Sequence, residues 1–396
     1  MKVAVFSGTI PSTTFVEHLI NGLSQNGVEV LIFGKKMGNY KPKNQNVKLY
    51  PSPRSNVFVV FFVIHQIIKL FFKDISSFTK IPDILSSSKK KSLSDTVIFL
   101  ARILPMLSNK PDVFHIQWVK AIEDYFWVKS VLGIKLVVSL RGAHINYSPL
   151  ADPTLAKSFN KFFPMVDFFH AVSEAISKEG NKYGMIEDKS MVIKPAVQRS
   201  LLDFPLKIKN NLPALSILSV GRFHWKKGYH YALDAMAILL EKDVNFFYTI
   251  VAGGEHEEIL FQISSLGLKD KVTIINGLPH NEVLQKISEA DLFLLPSVEE
   301  GIANVVLESM AIGTPVITTD CGGMIEVVEN YKNGFIVPVR DPEAIVDAIQ
   351  EYKSLKKQEV EDLQKNARET IIKEHLVENQ INSFQKLYEK ALSRNN

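Results

Sequence analysis

Cysteine is almost missing: Cys321 stands alone in 396 residues, so the chain closes no internal disulfide and reads as a protein of a reducing compartment. None of the 20 glycines forms a G-x-G, and no G-x-x-x-x-G-K-[ST] occurs. Dinucleotide oxidoreductases and P-loop NTPases thereby lose their phosphate-binding signatures. D-x-D is absent, and no His and Cys residues cluster at metal-ligand spacing. No metal and no cofactor is therefore expected, and any bound diphosphate has to be neutralised by side-chain cations and helix dipoles. No basic start, apolar run and small-residue cleavage site opens the chain, which leads to the expectation of a cytoplasmic location. Low-complexity tracts and short repeats are also missing.

What is present has the balance of a folded globular protein, with 46% apolar and 22% charged residues. The length suits two domains, each large enough to bury its own core. The net charge of +4 hides an asymmetry. Residues 1–200 carry 26 Lys/Arg against 14 Asp/Glu, a balance of +12, and residues 201–396 carry 20 against 28, a balance of −8. A basic first half attracts anionic partners such as nucleic acid or an anionic membrane surface, or is simply a solvated basic face.

MKVAVFSG opens as a continuous apolar strand, STTFVEHLINGLSQNG follows at helical spacing with a Gly stop, and VEVLIFG is a second strand. DVFHIQWV, IKLVVSLRG, VDFFHAVS and MVIKPAV extend the alternation of strand and helix. The second half restarts it with LSILSVGR, NFFYTIVAGG, VTIINGL, DLFLLPS, PVITTD and GFIVPV, separated by helical stretches. Alternating strands and helices predict an α/β fold of two doubly wound parallel sheets, joined near residues 198 to 213. The domains are expected at 1–200 and 201–370, with a helix at 371–396 that packs back on the first.

NVFVVFFVIHQIIKLFFK, residues 56–73, breaks this rhythm. It is densely apolar, but His65, Gln66 and Lys69 interrupt it and it falls short of a spanning helix. With Lys73, Lys80 and Lys89-Lys90-Lys91 nearby, it reads either as an interfacial helix lying on an anionic membrane or as a buried helix of the first domain.

Ligands of open α/β sheets lie at the carboxyl ends of the strands. Glu300 falls in the loop after LFLLPS, and Glu308 in a short helix beginning near Asn304. Two carboxylates there suit the hydroxyls of a sugar or ribose; alternatively, Glu308 is a helix-surface acid and Glu300 a partner of the helix dipole. In VGRFHWKKG, Arg222 and Lys227 follow a strand and supply two cations for a diphosphate. In DCGGMIEVV, Gly322 and Gly323 expose bare backbone N–H groups to a phosphate, or make a plain turn.

The pattern Pro296, Ser297, Glu300, Gly301 and Glu308, with V-G-R-x4-K-G upstream, resembles the family 4, or group 1, glycosyltransferases, and the resemblance runs in order through nearly the whole chain. It implies a GT-B fold, two Rossmann-like domains facing each other across a donor and acceptor cleft. It further implies that Glu308 binds the nucleotide ribose, that Glu300 contacts the donor sugar, and that Arg222 and Lys227 hold the diphosphate. Gly301 belongs to the same donor loop, and Gly8 approaches the donor phosphates or the acceptor. The implied reaction is retaining and metal-independent. It moves a hexose from a nucleotide-diphosphate sugar, a UDP-sugar first and GDP-mannose next, to a glycan or lipid-linked saccharide acceptor.

One motif departs from the family. Many members carry His-Gly-x-Asp after the strand that here ends in VVSL, where this chain has Arg141-Gly142-Ala143-His144. Arg141 or His144 takes over the contact with the donor sugar, or the sugar differs, or activity is reduced. Two other functions compete with transfer. A glycoside hydrolase would use the two acids as its pair, but it has no diphosphate for Arg222 and Lys227 to neutralise. A catalytically silent, nucleotide-sugar-binding partner of a glycan-assembly complex would explain the altered motif.

Overall fold

The computed structural model describes residues 1–53, 56–87, 92–207 and 213–394. The Lys89-Lys90-Lys91 run and part of the anticipated junction at 198–213 lie outside the described residues. Two compact units result. The first comprises Met1–Val172, Ile176–Ile193 and Ile381–Asn396, and the second Ser173–Ala175 and Lys194–Gln380.

The first unit holds β1 (Lys2–Ile10), β2 (Glu29–Lys36), β3 (Val47–Ser52), β4 (Val113–Ile116), β5 (Lys135–Leu140), β6 (Phe168–Ala171) and β7 (Ser190–Val192). They form one sheet in the order β3-β2-β1-β4-β5-β6-β7, every pair parallel. All four residues of β4 and of β6 are buried, as a parallel strand covered on both faces requires. The helix Thr14–Gln25 buries Val16, Leu19, Ile20 and Leu23, one stripe at spacings of three and four. It stops at Gly27, whose φ of +82° is the left-handed geometry that ends many helices.

β3 is a strand that pattern reading overlooks. Its sequence VKLYPS carries Lys48 and Pro51, residues that fit the edge position it occupies, where an unpaired N–H costs little.

The second unit holds β8 (Leu215–Val220), β9 (Phe246–Val251), β10 (Val272–Ile275), β11 (Leu292–Leu295), β12 (Val316–Thr319) and β13 (Phe335–Val337). Their order, β10-β9-β8-β11-β12-β13, repeats that of the first sheet. Leu292 and Leu294 enter one hydrophobic cluster with Ile217 and Tyr248. Phe293 and Leu295 enter another with Leu218, Val306 and Met310. The two-residue period of a single strand thus feeds a core on each face of the sheet.

In both sheets the strand order reverses direction once, between β1 and β4 and between β8 and β11. Those reversals are the switch points at which doubly wound sheets take their ligands; the loops after β8 and β11 carry Arg222, Lys227, Glu300 and Gly301, whereas Arg141 and His144 follow β5, Gly322 and Gly323 follow β12, and Gly8 lies within β1.

The last helix, Val377–Ser393, buries Ile381, Phe384, Leu387, Tyr388 and Ala391. Its residues from Ile381 onward belong to the first unit, where the Tyr388 hydroxyl lies 2.8 Å from Nδ1 of the fully buried His115. The segment 56–73 is a single helix, Asn56–Lys73. Val59, Val63 and Leu70 are buried while Phe58, Phe61, Ile64, Ile68 and Phe72 are exposed, so only one side of it is packed into the first unit.

Candidate active site

At the switch point of the second sheet, β8 leads into the stretch Gly221 to Gly228 and β11 into Pro296 to Gly301. A short 3-10 turn, Trp225–Lys227, ends at Gly228, whose left-handed φ of +65° starts the helix Tyr229–Glu241. A Cβ added to Gly228 would sit 1.9 Å from the Pro296 carbonyl oxygen, so only glycine allows the two loops to close on each other. Val298 N–H donates to the Lys226 carbonyl at 2.7 Å and ties them together.

This closure brings Lys227 onto Glu300. Lys227 Nζ donates to Glu300 Oε1 at 2.6 Å, Ser297 Oγ donates to the same oxygen at 3.1 Å, and Lys226 Nζ lies 3.5 Å from Oε2. Glu300 is only 7% exposed. Burial by itself pushes its carboxyl up, but the charges of Lys227 and Lys226 and the hydrogen bonds from Lys227 and Ser297 hold it below the ordinary glutamate value. The result is an ionised carboxylate fixed between two ammonium groups at the carboxyl edge of the sheet. Lys226 is the part that sequence reasoning missed, although it neighbours Lys227 in the same KKG.

Arg222 occupies the same loop, exposed and without an ion pair among the described residues. Gly322 and Gly323 follow β12 and press against the acid loop. A Cβ on Gly322 would meet the Glu300 carbonyl oxygen at 1.8 Å, and one on Gly323 the Gly301 carbonyl oxygen at 2.1 Å. Their bareness is thus already required by packing, whatever else their N–H groups do. Gly301 itself is buried.

Glu308 lies in the helix Asn304–Ile312 and faces a partner of its own. His280 Nε2 is 2.9 Å from Glu308 Oε1, and the hydrogen bond from Glu308 raises the imidazole above its ordinary value. His280 begins the helix His280–Glu289 just past the carboxyl end of β10. That location was the available signal.

The first unit builds a second cluster from residues that follow β4 and β5. Arg141 follows β5. Its Nη2 donates to Gln117 Oε1 at 3.0 Å, its guanidinium carbon lies 4.5 Å from the Phe15 ring centroid, and its buried Nε has no hydrogen-bond partner among the described residues. Burial lowers the guanidinium to about 10, so it remains a cation at neutral pH. His144 packs edge-on against Trp118 with ring centroids 5.6 Å apart, and burial followed by the charge of Lys120 lowers its imidazole. Gly8 has a φ of +88° and open space where a Cβ would be. Behind Arg141, Gln117 Nε2 is 3.1 Å from His115 Nδ1.

Residues 205–370 match the family described as glycosyl transferases group 1. The match to the group 1 glycosyl transferases thus falls within the second unit. The putative colanic acid biosynthesis glycosyltransferase WcaL of Escherichia coli is 32% identical over 220 residues, 54% of either chain. The amylovoran biosynthesis glycosyltransferase AmsK of Erwinia amylovora is 28% identical over 278 residues, 68% of this chain and 64% of AmsK. The alignments thus span between half and two thirds of these relatives. Among solved structures, sucrose-phosphate synthase from Thermosynechococcus elongatus superposes with a TM-score of 0.73 at 19% identity over 98% of both chains. Anabaena HepE in complex with UDP-glucose gives 0.70 at 16% identity over the full length of both. At such identities the likeness concerns the fold, and that fold is the two-sheet α/β architecture of GT-B enzymes.

Proposed function

We propose that this chain is a group 1 glycosyl transferase acting as a retaining, metal-independent hexosyltransferase. It takes its sugar from a nucleoside-diphosphate donor, a UDP-sugar ahead of GDP-mannose, and adds it to a glycan or lipid-linked saccharide in cell-surface polysaccharide biosynthesis, on the cytoplasmic side of the membrane. The observation that carries the reading is the clamp of Lys227 and Lys226 on Glu300 at the switch point between β8 and β11. WcaL and AmsK support the polysaccharide context by their names, and HepE, crystallised with UDP-glucose, supports the order of donors.

In the proposed reaction the bond between the anomeric carbon and the diphosphate oxygen breaks with its electron pair going to the phosphate. The acceptor oxygen bonds to the anomeric carbon from the same face and passes its proton to the departing phosphate oxygen. Charge develops on that phosphate, so preorganised cations there lower the barrier most. Arg222 and Lys227 fill this role, Glu300 contacts the sugar, Glu308 takes the ribose hydroxyls, and Gly8, Gly301, Gly322 and Gly323 shape the loops around the donor. No enzyme nucleophile is required, because the acceptor attacks from the face that the phosphate leaves and the phosphate oxygen takes its proton.

Thermal unfolding with UDP, GDP and dTDP and their sugar conjugates tests the donor, since a ligand at one hundred times its Kd stabilises by about 2.7 kcal/mol. A shift confined to the UDP series, followed by a product whose anomeric configuration equals that of the donor, is the expected result. A shift without transfer would move the assignment to the silent, nucleotide-sugar-binding alternative, and absence of any shift would overturn both.

A further inference from the structure

The helix Asn56–Lys73 exposes an apolar face in which His65, also exposed, is the one polar interruption among its described residues. Phe58, Phe61, Ile64, Ile68 and Phe72 follow one another at spacings of three, three, four and four residues and so share a side of the helix. Phe61 is 68% and Phe72 82% exposed, values far from those of a side chain serving its own core. Ile75, just beyond the helix, is also exposed. The opposite side, with Val59, Val63 and Leu70, is buried where the helix packs along Leu93–Ser108, and Lys73 Nζ fastens it there through the Ser108 carbonyl at 2.6 Å. The helix is therefore held rigidly with its apolar stripe outward, about 27 Å of it at 1.5 Å per residue.

Charge identifies what covers the stripe. The helix contains no Asp or Glu, and Lys69 is exposed beside the stripe. Residues 41–91, which enclose it, carry ten Lys/Arg against two Asp. A second copy of the same surface would bring like charges together, whereas an anionic bilayer offers an apolar interior beneath a negative surface. Among the described residues no helix is long and apolar enough to cross a membrane, so the arrangement is that of a helix lying in the interface plane.

We infer that the helix Asn56–Lys73 docks the first unit on an anionic lipid bilayer, with Phe58, Phe61, Ile64, Ile68 and Phe72 entering the acyl boundary and Lys69 at the headgroups. This deepens the transferase reading by naming the surface that meets a membrane-held acceptor, but its readout requires no transfer.

The test is co-sedimentation of the full chain with vesicles of phosphatidylcholine mixed with phosphatidylglycerol, against phosphatidylcholine alone, alongside sedimentation equilibrium without lipid. Binding to the mixed vesicles that weakens with salt is expected. It should fall at least about tenfold in the triple variant Phe61→Ser, Ile68→Ser, Phe72→Ser, as removal of inserted apolar area demands, and should weaken in Lys69→Glu. These side chains are exposed, so unchanged circular dichroism and melting temperature are expected and separate lost docking from lost folding. Failure of the wild-type chain to sediment with the anionic vesicles overturns the proposal, as does a self-association that the triple variant abolishes while vesicle binding persists. Lys227→Ala should bind vesicles like the wild type, so loss of the donor site and loss of the membrane site are read separately.

Discussion

Lys227 Nζ sits 2.6 Å from Oε1 of Glu300, within a site where both side chains are largely buried. The same ammonium that is assigned to the diphosphate therefore also compensates a buried carboxylate in the ligand-free protein. Lys227→Ala should abolish transfer, and it should also lower stability by about 1–3 kcal/mol, because Glu300 keeps only the more distant Lys226 and the Ser297 hydroxyl. Pure sequence reasoning gives that loop lysine no structural duty, so a melting temperature measured beside the activity checks the difference. Full turnover in the variant would sink the diphosphate assignment.

Glu308 and His280 make nucleotide affinity depend on pH. Because Glu308 raises the His280 pKa above its ordinary value, their mutual attraction is full below about 6.5 and is lost as pH rises through the raised value. A ribose that needs Glu308 competes with the imidazolium, so nucleotide binding should tighten as pH rises through that range. The ring is well exposed, which limits the gain to no more than about fivefold. Calorimetric titration of UDP across this range should show the trend, and His280→Asn should flatten it.

Much of this architecture was legible beforehand, because parallel strands buried on both faces must read as unbroken apolar runs and loops at switch points must carry the polar chemistry. DLFLLPS and LSILSVGR announced β11 and β8 in this way, and Glu300 and Lys227 after them. Sequence could not supply partners far apart in the chain. His280 pairs with Glu308 across 28 positions and Gln117 holds Arg141 across 24, and neither spacing follows a local period. Nor could it choose between the two faces of the helix Asn56–Lys73, since a stripe turned to the core and one turned outward have the same composition.

Gly322 and Gly8 separate packing from conformation. In Gly322→Ala the new Cβ meets the Glu300 carbonyl oxygen at 1.8 Å, and the φ of +52° adds strain. The acid loop must move, so stability should fall by about 1–3 kcal/mol and UDP affinity with it. Gly8→Ala meets no atom within 4 Å and carries only the left-handed penalty of about 1–2 kcal/mol. If Gly8 lies against donor or acceptor, its alanine variant should lose more activity than its melting temperature accounts for. Equal and small effects of both substitutions would contradict the packing argument.

The buried histidines of the first unit predict its behaviour in acid. His115 Nε2 and His170 Nδ1 both lie 2.8 Å from Ser139 Oγ, and His170 Nε2 lies 3.0 Å from the Ile193 carbonyl oxygen. Burial, then neighbouring positive charge, keeps His115 well below its ordinary value and His170 down at about 3. The unfolded chain therefore takes up protons below about 6.5 that the folded chain refuses, and each histidine removes about 1.4 kcal/mol of stability per pH unit. Denaturant midpoints should be flat above pH 6.5 and fall steadily toward pH 4. A flat profile over the whole range would mean that the pair is solvated or already protonated.

Arg141 opens the motif that departs from the His-Gly-x-Asp of the resembled family, and its surroundings define what its replacement should do. Its guanidinium is positioned by Gln117 and Phe15 and has no carboxylate beside it among the described residues. The nucleotide is assigned to residues of the second unit, so Arg141→Ala should leave the Kd for UDP within about twofold of wild type. If Arg141 contacts the donor sugar, kcat should fall roughly a hundredfold, the scale of losing one preorganised donor at a reacting group. Arg141→Lys should not restore it, because a point charge on a flexible stem cannot reproduce the fork that reaches Gln117. Unchanged kcat in Arg141→Ala would remove Arg141 from the catalytic set and leave His144 as the candidate from this motif.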